Sequence, residues 1–78
     1  MEVIIRTMLK DLYNGRAKEV ILPGDDGEFS VWDFHQPCLY RLRQGLIKVK
    51  IGEGEEKFLI KTGIAKIDSD GLVAMVEI

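Results

Sequence analysis

One cysteine, two prolines, one histidine and one tryptophan are all that these 78 residues contain of those types. A lone cysteine makes no internal disulfide, so a small chain without staples depends on packing or on partners. The chain also lacks a surplus of either charge: eleven Lys and Arg against thirteen Asp and Glu leave a formal net charge of −2. That balance gives no field for gathering a nucleic-acid backbone or an anionic membrane. Charged residues interrupt every apolar stretch well before the ~18 residues of a membrane-spanning helix. The start, Met1-Glu2-Val3-Ile4-Ile5-Arg6, has no basic region followed by a long apolar run, so no signal peptide is read there. With a free thiol and no export signal, a reducing cytoplasm is the simplest compartment. The length sets one domain over residues 1–78, and folding would hide only about 60% of the unfolded surface. So thin a core leaves little room for a deep catalytic pocket.

What is present is alternation punctuated by eight glycines. In Leu46-Ile47-Lys48-Val49-Lys50-Ile51 the apolar Ile47, Val49 and Ile51 share one face and the lysines the other, as in a half-buried strand. Cys38, Tyr40 and Leu42 alternate with Leu39, Arg41 and Arg43 in the same way, and Gln44-Gly45 between the two runs predicts a hairpin turn. Residues 64–68 and 72–78 flank Ser69-Asp70-Gly71, a tight-turn signal. The last run is apolar on both faces, Val73 and Met75 opposite Leu72, Ala74 and Val76, which predicts a strand covered on both sides. In the first half, residues 2–7, 18–22 and 29–32 read as strands. Asn14-Gly15 falls in a connection, and Pro23-Gly24-Asp25-Asp26-Gly27 forms a turn. A helix over residues 6–13 is too short and uncapped to prefer. The sum is an all-β fold of about eight to ten short strands, all antiparallel by their brief connections, packed as a small sandwich or barrel.

Few constellations carry chemistry. Lys61-Thr62-Gly63 matches the Lys-Thr-Gly triplet of penicillin-binding enzymes, but neither Ser30 nor Ser69 supplies the Ser-x-x-Lys nucleophile, so it reads as a strand end. Gly52-Glu53-Gly54, with Glu55 and Glu56 following, would repel phosphate and reads as a solvated hairpin tip. His35 and Cys38 have half of a zinc spacing with no further His or Cys, and Cys38 reads as a buried, inert thiol. Asp25, Asp26 and Glu28 lack calcium-loop spacing and read as a polar turn. Arg41, Arg43, Lys48 and Lys50, with Tyr40 nearby, form a basic stripe if their strands adjoin. A small oligonucleotide-binding barrel is therefore the alternative function.

The most informative stretch is Val20-Ile21-Leu22-Pro23-Gly24-Asp25-Asp26-Gly27-Glu28-Phe29, followed by His35-Gln36-Pro37-Cys38-Leu39, Leu42 and Gly45. It resembles the epsilon subunit of rotary F-type ATP synthases (delta in mitochondrial usage). That family runs leucine-proline-glycine, an acidic turn, Gly-Glu-Phe, proline-glycine-histidine-x-proline, then Leu-x-x-Leu-x-x-Gly. Thr7 and Tyr13-Asn14-Gly15 resemble the family's opening strand and first turn, Gly63-Ile64-Ala65-Lys66-Ile67 its Gly-Phe-x-Glu-Val strand, and residues 72–76 its closing strand. Asp33-Phe34 replaces the usual proline-glycine, and Thr7-Met8 the usual threonine-proline. Family members also continue into a carboxy-terminal helical hairpin, whereas this sequence stops at Ile78, so the inhibitory and ATP-sensing roles of those helices are not expected of it.

The resemblance implies a flattened antiparallel β-sandwich with no active site and no cofactor. It implies a central-stalk rotor subunit that joins the gamma subunit to the c-ring and transmits torque for proton-coupled ATP synthesis. It places Glu28 and His35 toward the ring, with Trp32, Asp33 and Phe34 in the adjoining loop, and Thr7 and Tyr40 on the side facing gamma. Membrane association would come only through the complex, at the cytoplasmic face of the bacterial inner membrane, and no nucleic acid would be bound.

Overall fold

A computed structural model describes residues 1–32 and 36–78. Its elements are nine strands: β1 (Glu2–Arg6), β2 (Asp11–Arg16), β3 (Glu19–Gly24), β4 (Gly27–Val31), β5 (Cys38–Leu42), β6 (Gly45–Ile51), β7 (Gly54–Ile60), β8 (Thr62–Asp68) and β9 (Gly71–Glu77). The hydrogen-bonded path runs β2-β1-β9-β8-β5-β3-β6-β7, with β4 added on β3. Between β5 and β3 the path narrows to one pair, Gly24 opposite Leu42, and there the sheet folds into two layers. The first layer holds β2, β1, β9, β8 and β5, and the second β4, β3, β6 and β7.

Period-two alternation fills the space between the layers. Val3, Ile5, Leu42, Ala65, Ile67, Leu72, Ala74 and Val76 from the first layer are buried with Val20, Leu22, Val31, Ile47, Val49 and Ile60 from the second. Each fully buried Val, Leu or Ile contributes about 1.5–3 kcal/mol relative to exposure, so this core holds the layers together. No buried side chain among the described residues is polar or charged. The outermost strands, β2 and β7, meet through an edge-to-face contact of Tyr13 and Phe58, with centroids 6.2 Å apart.

The β-sandwich follows the alternation, and several details correct the sequence expectation. Not every pairing is antiparallel: β1 lies parallel to β9, with Val3 beside Leu72 and Arg6 beside Met75. The brief connections govern neighbours along the chain, and this pair joins its two ends. Asn14-Gly15 lies inside β2, opposite Ile4 and Val3, and not in a connection. Gln44-Gly45 makes no β5–β6 hairpin, because the chain there crosses from one layer to the other. A Cβ on Gly45 would lie 2.8 Å from the Pro23 Cβ, so the crossing needs glycine. Pro23 and Gly24 extend β3, leaving Asp25-Asp26 as the turn. Ile51 is exposed despite sharing a face with Ile47 and Val49, because the strand runs out past the layer.

The largest correction concerns β9. Leu72, Ala74 and Val76 are buried, but Val73 and Met75 are 36% and 45% exposed, so this chain covers only one face of the strand.

The β8–β9 hairpin turns as predicted. The Asp68 carboxylate accepts from the Asp70 N–H at 2.8 Å, and Gly71 has φ 135°. A Cβ at Gly71 would collide with the Glu2 carbonyl oxygen, whereas one at Gly52, with φ 57°, would meet nothing. Gly52→Ala should therefore cost about 1 kcal/mol for its left-handed backbone. Gly71→Ala should cost about 3 kcal/mol or more, because it also disrupts the entry to β1. Urea midpoints of the two variants check this ordering.

Candidate functional site

No group of three or more His, Cys, Asp or Glu among the described residues could hold a metal ion. The basic stripe is interrupted as well. β3 lies between β5 and β6, so Arg41 does not adjoin Lys48 and Lys50. Lys50 also sits 3.6 Å from the Glu19 carboxylate and opposite Glu55. Alternating charge of this kind does not track a phosphate backbone, and the oligonucleotide reading loses its motivating feature. What the chain does present is two outward surfaces, one on each layer.

The first lies along β4. Phe29 and Val31 point inward, which leaves Glu28 and Ser30 exposed, and Trp32 just beyond the strand is 61% exposed. Glu28 lies by the Asp25-Asp26 turn, opposite Pro23, and Trp32 follows the other end of the strand. At strand rise, four residues separate them by about 13 Å. β4 therefore carries both residues while holding them well apart. Asp33, Phe34 and His35 lie outside the described residues.

The second surface belongs to the β1–β9–β8–β5 layer. After β1, the Thr7 N–H donates to the Lys10 carbonyl at 2.8 Å, and the Thr7 hydroxyl accepts from the N–H groups of Leu9 and Lys10 at 3.1 and 3.2 Å. This side-chain-stabilised turn lifts Met8 and Leu9 into solvent, 95% and 94% exposed. Thr7 itself is half-buried, so its role is to shape the turn. Beside the turn, an open groove of about 530 Å³ is lined by Met8, Arg41, Thr62, Ile64, Met75 and Glu77. Leu39, Ile64, Val73 and Met75 are all exposed on this face. For Val73 and Met75 the sequence contains the signal, apolar residues on both faces of the last strand, but the expected cover on the second face is not supplied by the described residues.

Tyr40 is half-buried and packs on Phe29 at a ring-centroid distance of 4.3 Å. It shares the inward row of β5 with Cys38 and Leu42, while Leu39 and Arg41 face out. Cys38 is half-buried, not fully enclosed, because β5 has only one close neighbour along its first four residues. The hydrogen bond with Cys38, then its charge, then slight desolvation raise the Tyr40 pKa above 10.0. The phenol is thus neutral at physiological pH and supports packing rather than proton transfer. In spectrophotometric titration, Cys38→Ala should move the Tyr40 ionisation down toward 10.0; an unmoved curve would show that the thiol is not the cause.

Comparison with known proteins fits this architecture. Residues 1–77 match the family model of the ATP synthase delta/epsilon chain β-sandwich domain. The ATP synthase epsilon chain of Herminiimonas arsenicoxydans is 29% identical over 99% of this chain and 56% of its own length. That of Ruegeria sp. (strain TM1040) is 34% identical over 87% of this chain and 50% of its own. The chain therefore spans about half the length of the curated relatives it matches. Among solved structures, a chain of the Tetrahymena thermophila mitochondrial ATP synthase central stalk and c-ring superposes with a TM-score of 0.83 at 19% identity. That match covers 99% of this chain and 63% of the other. A chain of the Euglena gracilis mitochondrial ATP synthase gives 0.82 at 17% identity, covering 96% and 48%. These likenesses show a shared fold. By sequence and by fold, this chain belongs to the ATP synthase delta/epsilon chain β-sandwich family.

Proposed function

We propose that the chain is a non-catalytic rotor subunit of an F-type ATP synthase, linking the gamma subunit to the c-ring and transmitting torque for proton-coupled ATP synthesis. The observation that carries this reading is the family match across residues 1–77. The central-stalk and c-ring assemblies that contain its structural likenesses support it. So does the architecture: a torque-bearing part needs a stiff body with two contact surfaces, and close-packed interiors resist compression. The chain works without an active site of its own, at the cytoplasmic face of the bacterial inner membrane, and reaches the membrane only through the complex.

The two surfaces divide the task. Glu28, Trp32, Asp33, Phe34 and His35 meet the c-ring, with the exposed Glu28 and Trp32 at the two ends of β4 setting a broad footprint. A carboxylate in such a contact fixes register more than it adds affinity. Thr7 and Tyr40 serve the gamma side at one remove. Thr7 holds the turn that presents Met8 and Leu9, and Tyr40 backs the strand that presents Leu39 and Arg41.

Reconstitution with the cognate gamma subunit and c-ring separates the surfaces. Glu28→Lys with Trp32→Ala should weaken ring association about tenfold while leaving gamma binding intact. Met8→Asp with Leu9→Asp should do the reverse. The reading is abandoned if the unaltered chain forms no stable complex with either partner.

A further inference from the structure

Asn14-Gly15 stands in the outermost strand of the first layer, opposite Ile4 and Val3. An Asn-Gly step is chemically vulnerable, because glycine has no side chain to shield its backbone nitrogen or to restrict its rotation. The surroundings here hold that nitrogen in place. At the end of the β1–β2 ladder the Met1 ammonium donates to the Ala17 carbonyl at 2.8 Å, and the Ala17 N–H donates back at 2.9 Å. Antiparallel pairs alternate, so two residues on Gly15 exchanges the same two bonds with Val3, while the N–H and C=O of Asn14 point away from β1. The Tyr13 side chain lies over Gly15. A Cβ there would stand 3.2 Å from the phenol oxygen, which itself donates to the Arg16 carbonyl at 2.7 Å. Asn14 is exposed, and its Nδ2 donates to the Asp11 carboxylate at 3.4 Å.

We propose that Asn14 is a site of spontaneous covalent modification, deamidation to aspartate and isoaspartate, and that the opening of β2 gates it. The Gly15 backbone nitrogen attacks the Asn14 side-chain carbonyl carbon and forms a C–N bond. The bond to Nδ2 breaks, and ammonia leaves with the proton that the Gly15 nitrogen gives up. Water then opens the five-membered succinimide at either carbonyl, which yields aspartate or isoaspartate. In the closed strand this reaction is blocked twice. The extended backbone holds the Gly15 nitrogen away from that carbon, and its N–H is bound to Val3. Opening of β2 lifts both blocks, and β2 has little to keep it shut. None of its residues is fully buried, and among the described residues no strand bonds to its outer edge. Its contact with β7 is the ring pair of Tyr13 and Phe58.

The products do not refit the strand. A carboxylate at position 14 replaces the amide that donates to Asp11, sets two like charges together and takes the formal net charge from −2 to −3. The nearby guanidinium groups already have partners, Arg6 at 3.3 Å from Asp11 and Arg16 at 2.8 Å from Glu2. In isoaspartate the chain runs through the former side-chain carbon and is one bond longer there. Positions 14 and 15 then cannot both keep register with Ile4 and Val3. Opening permits the modification, and the modification favours opening.

Incubation of the full chain at mildly alkaline pH, followed by peptide mass mapping and an isoaspartate assay, tests the proposal. Deamidation should fall at Asn14, give both isomers, and run about tenfold or more slower than in the urea-unfolded chain. Tyr13→Ala and, independently, Phe58→Leu should quicken it about fivefold, with circular dichroism showing that each variant is folded. Asn14→Gln should stop it on the same timescale. Asn14→Asp should lower the urea midpoint and speed hydrogen exchange in β2 but not in β6. Aspartate without isoaspartate would mean direct hydrolysis and would overturn the ring-closure route. Equal rates in the folded and unfolded chains, or no acceleration in either folded variant, would show that β2 does not gate the reaction. An unmoved midpoint for Asn14→Asp would sink the claim that the product loosens the strand.

Discussion

The parallel pairing of β1 with β9 sets Val3 beside Leu72 and so ties the opening of the chain to its close. Such a contact carries a large loop-closure entropy, because the loop it closes contains nearly the whole chain. Once formed, it places both strands in the middle of a layer, with β2 attached outside β1 and β8 outside β9. Val3, Ile5, Leu72, Ala74 and Val76 then face one interior, and the second layer has a surface to close upon. The Gly71 turn and the close approach of Glu2 belong to the same arrangement.

That arrangement also decides what the molecule can offer to others. No residue buried in the core is polar or charged among the described residues, and the two layers expose different chemistry. The β4 side presents a carboxylate and an indole at its two ends. The β9 side presents aliphatic and thioether groups among guanidinium and ammonium heads. The distinctive residues of the described chain are those that face away from the core.

Much of this was legible in the sequence because alternation is a local signal. Residues 46–51 and 38–43 announced their buried faces, and Ser69-Asp70-Gly71 announced its hairpin. The family landmarks from Leu22 to Pro37 were legible for the same reason, since each sits within a few residues of the next. Partnership between strands was not. Gln44-Gly45 has the composition of a hairpin turn, but whether it joins neighbours or crosses between layers depends on Gly24 meeting Leu42, far away in sequence. Asn14-Gly15 read as punctuation because β2 has little apolar content, and β1 alone holds it in the sheet. The exposure of Val73 and Met75 is illegible for a deeper reason. Alternation tells which side chains avoid water, and is silent on whether their cover belongs to the same molecule.

The seam between β2 and β7 carries a mechanical consequence. Successive strands along the path share backbone hydrogen bonds, but these two edges meet through the rings of Tyr13 and Phe58. Such a ring contact is worth about 1 kcal/mol beyond its burial. Twisting loads that pass from one layer to the other therefore travel through the β5–β3 fold and the packed interior more than through this seam. The sandwich is consequently less a uniform block than a folded plate, bound by backbone pairing and packing at its spine and by one ring contact at its margin.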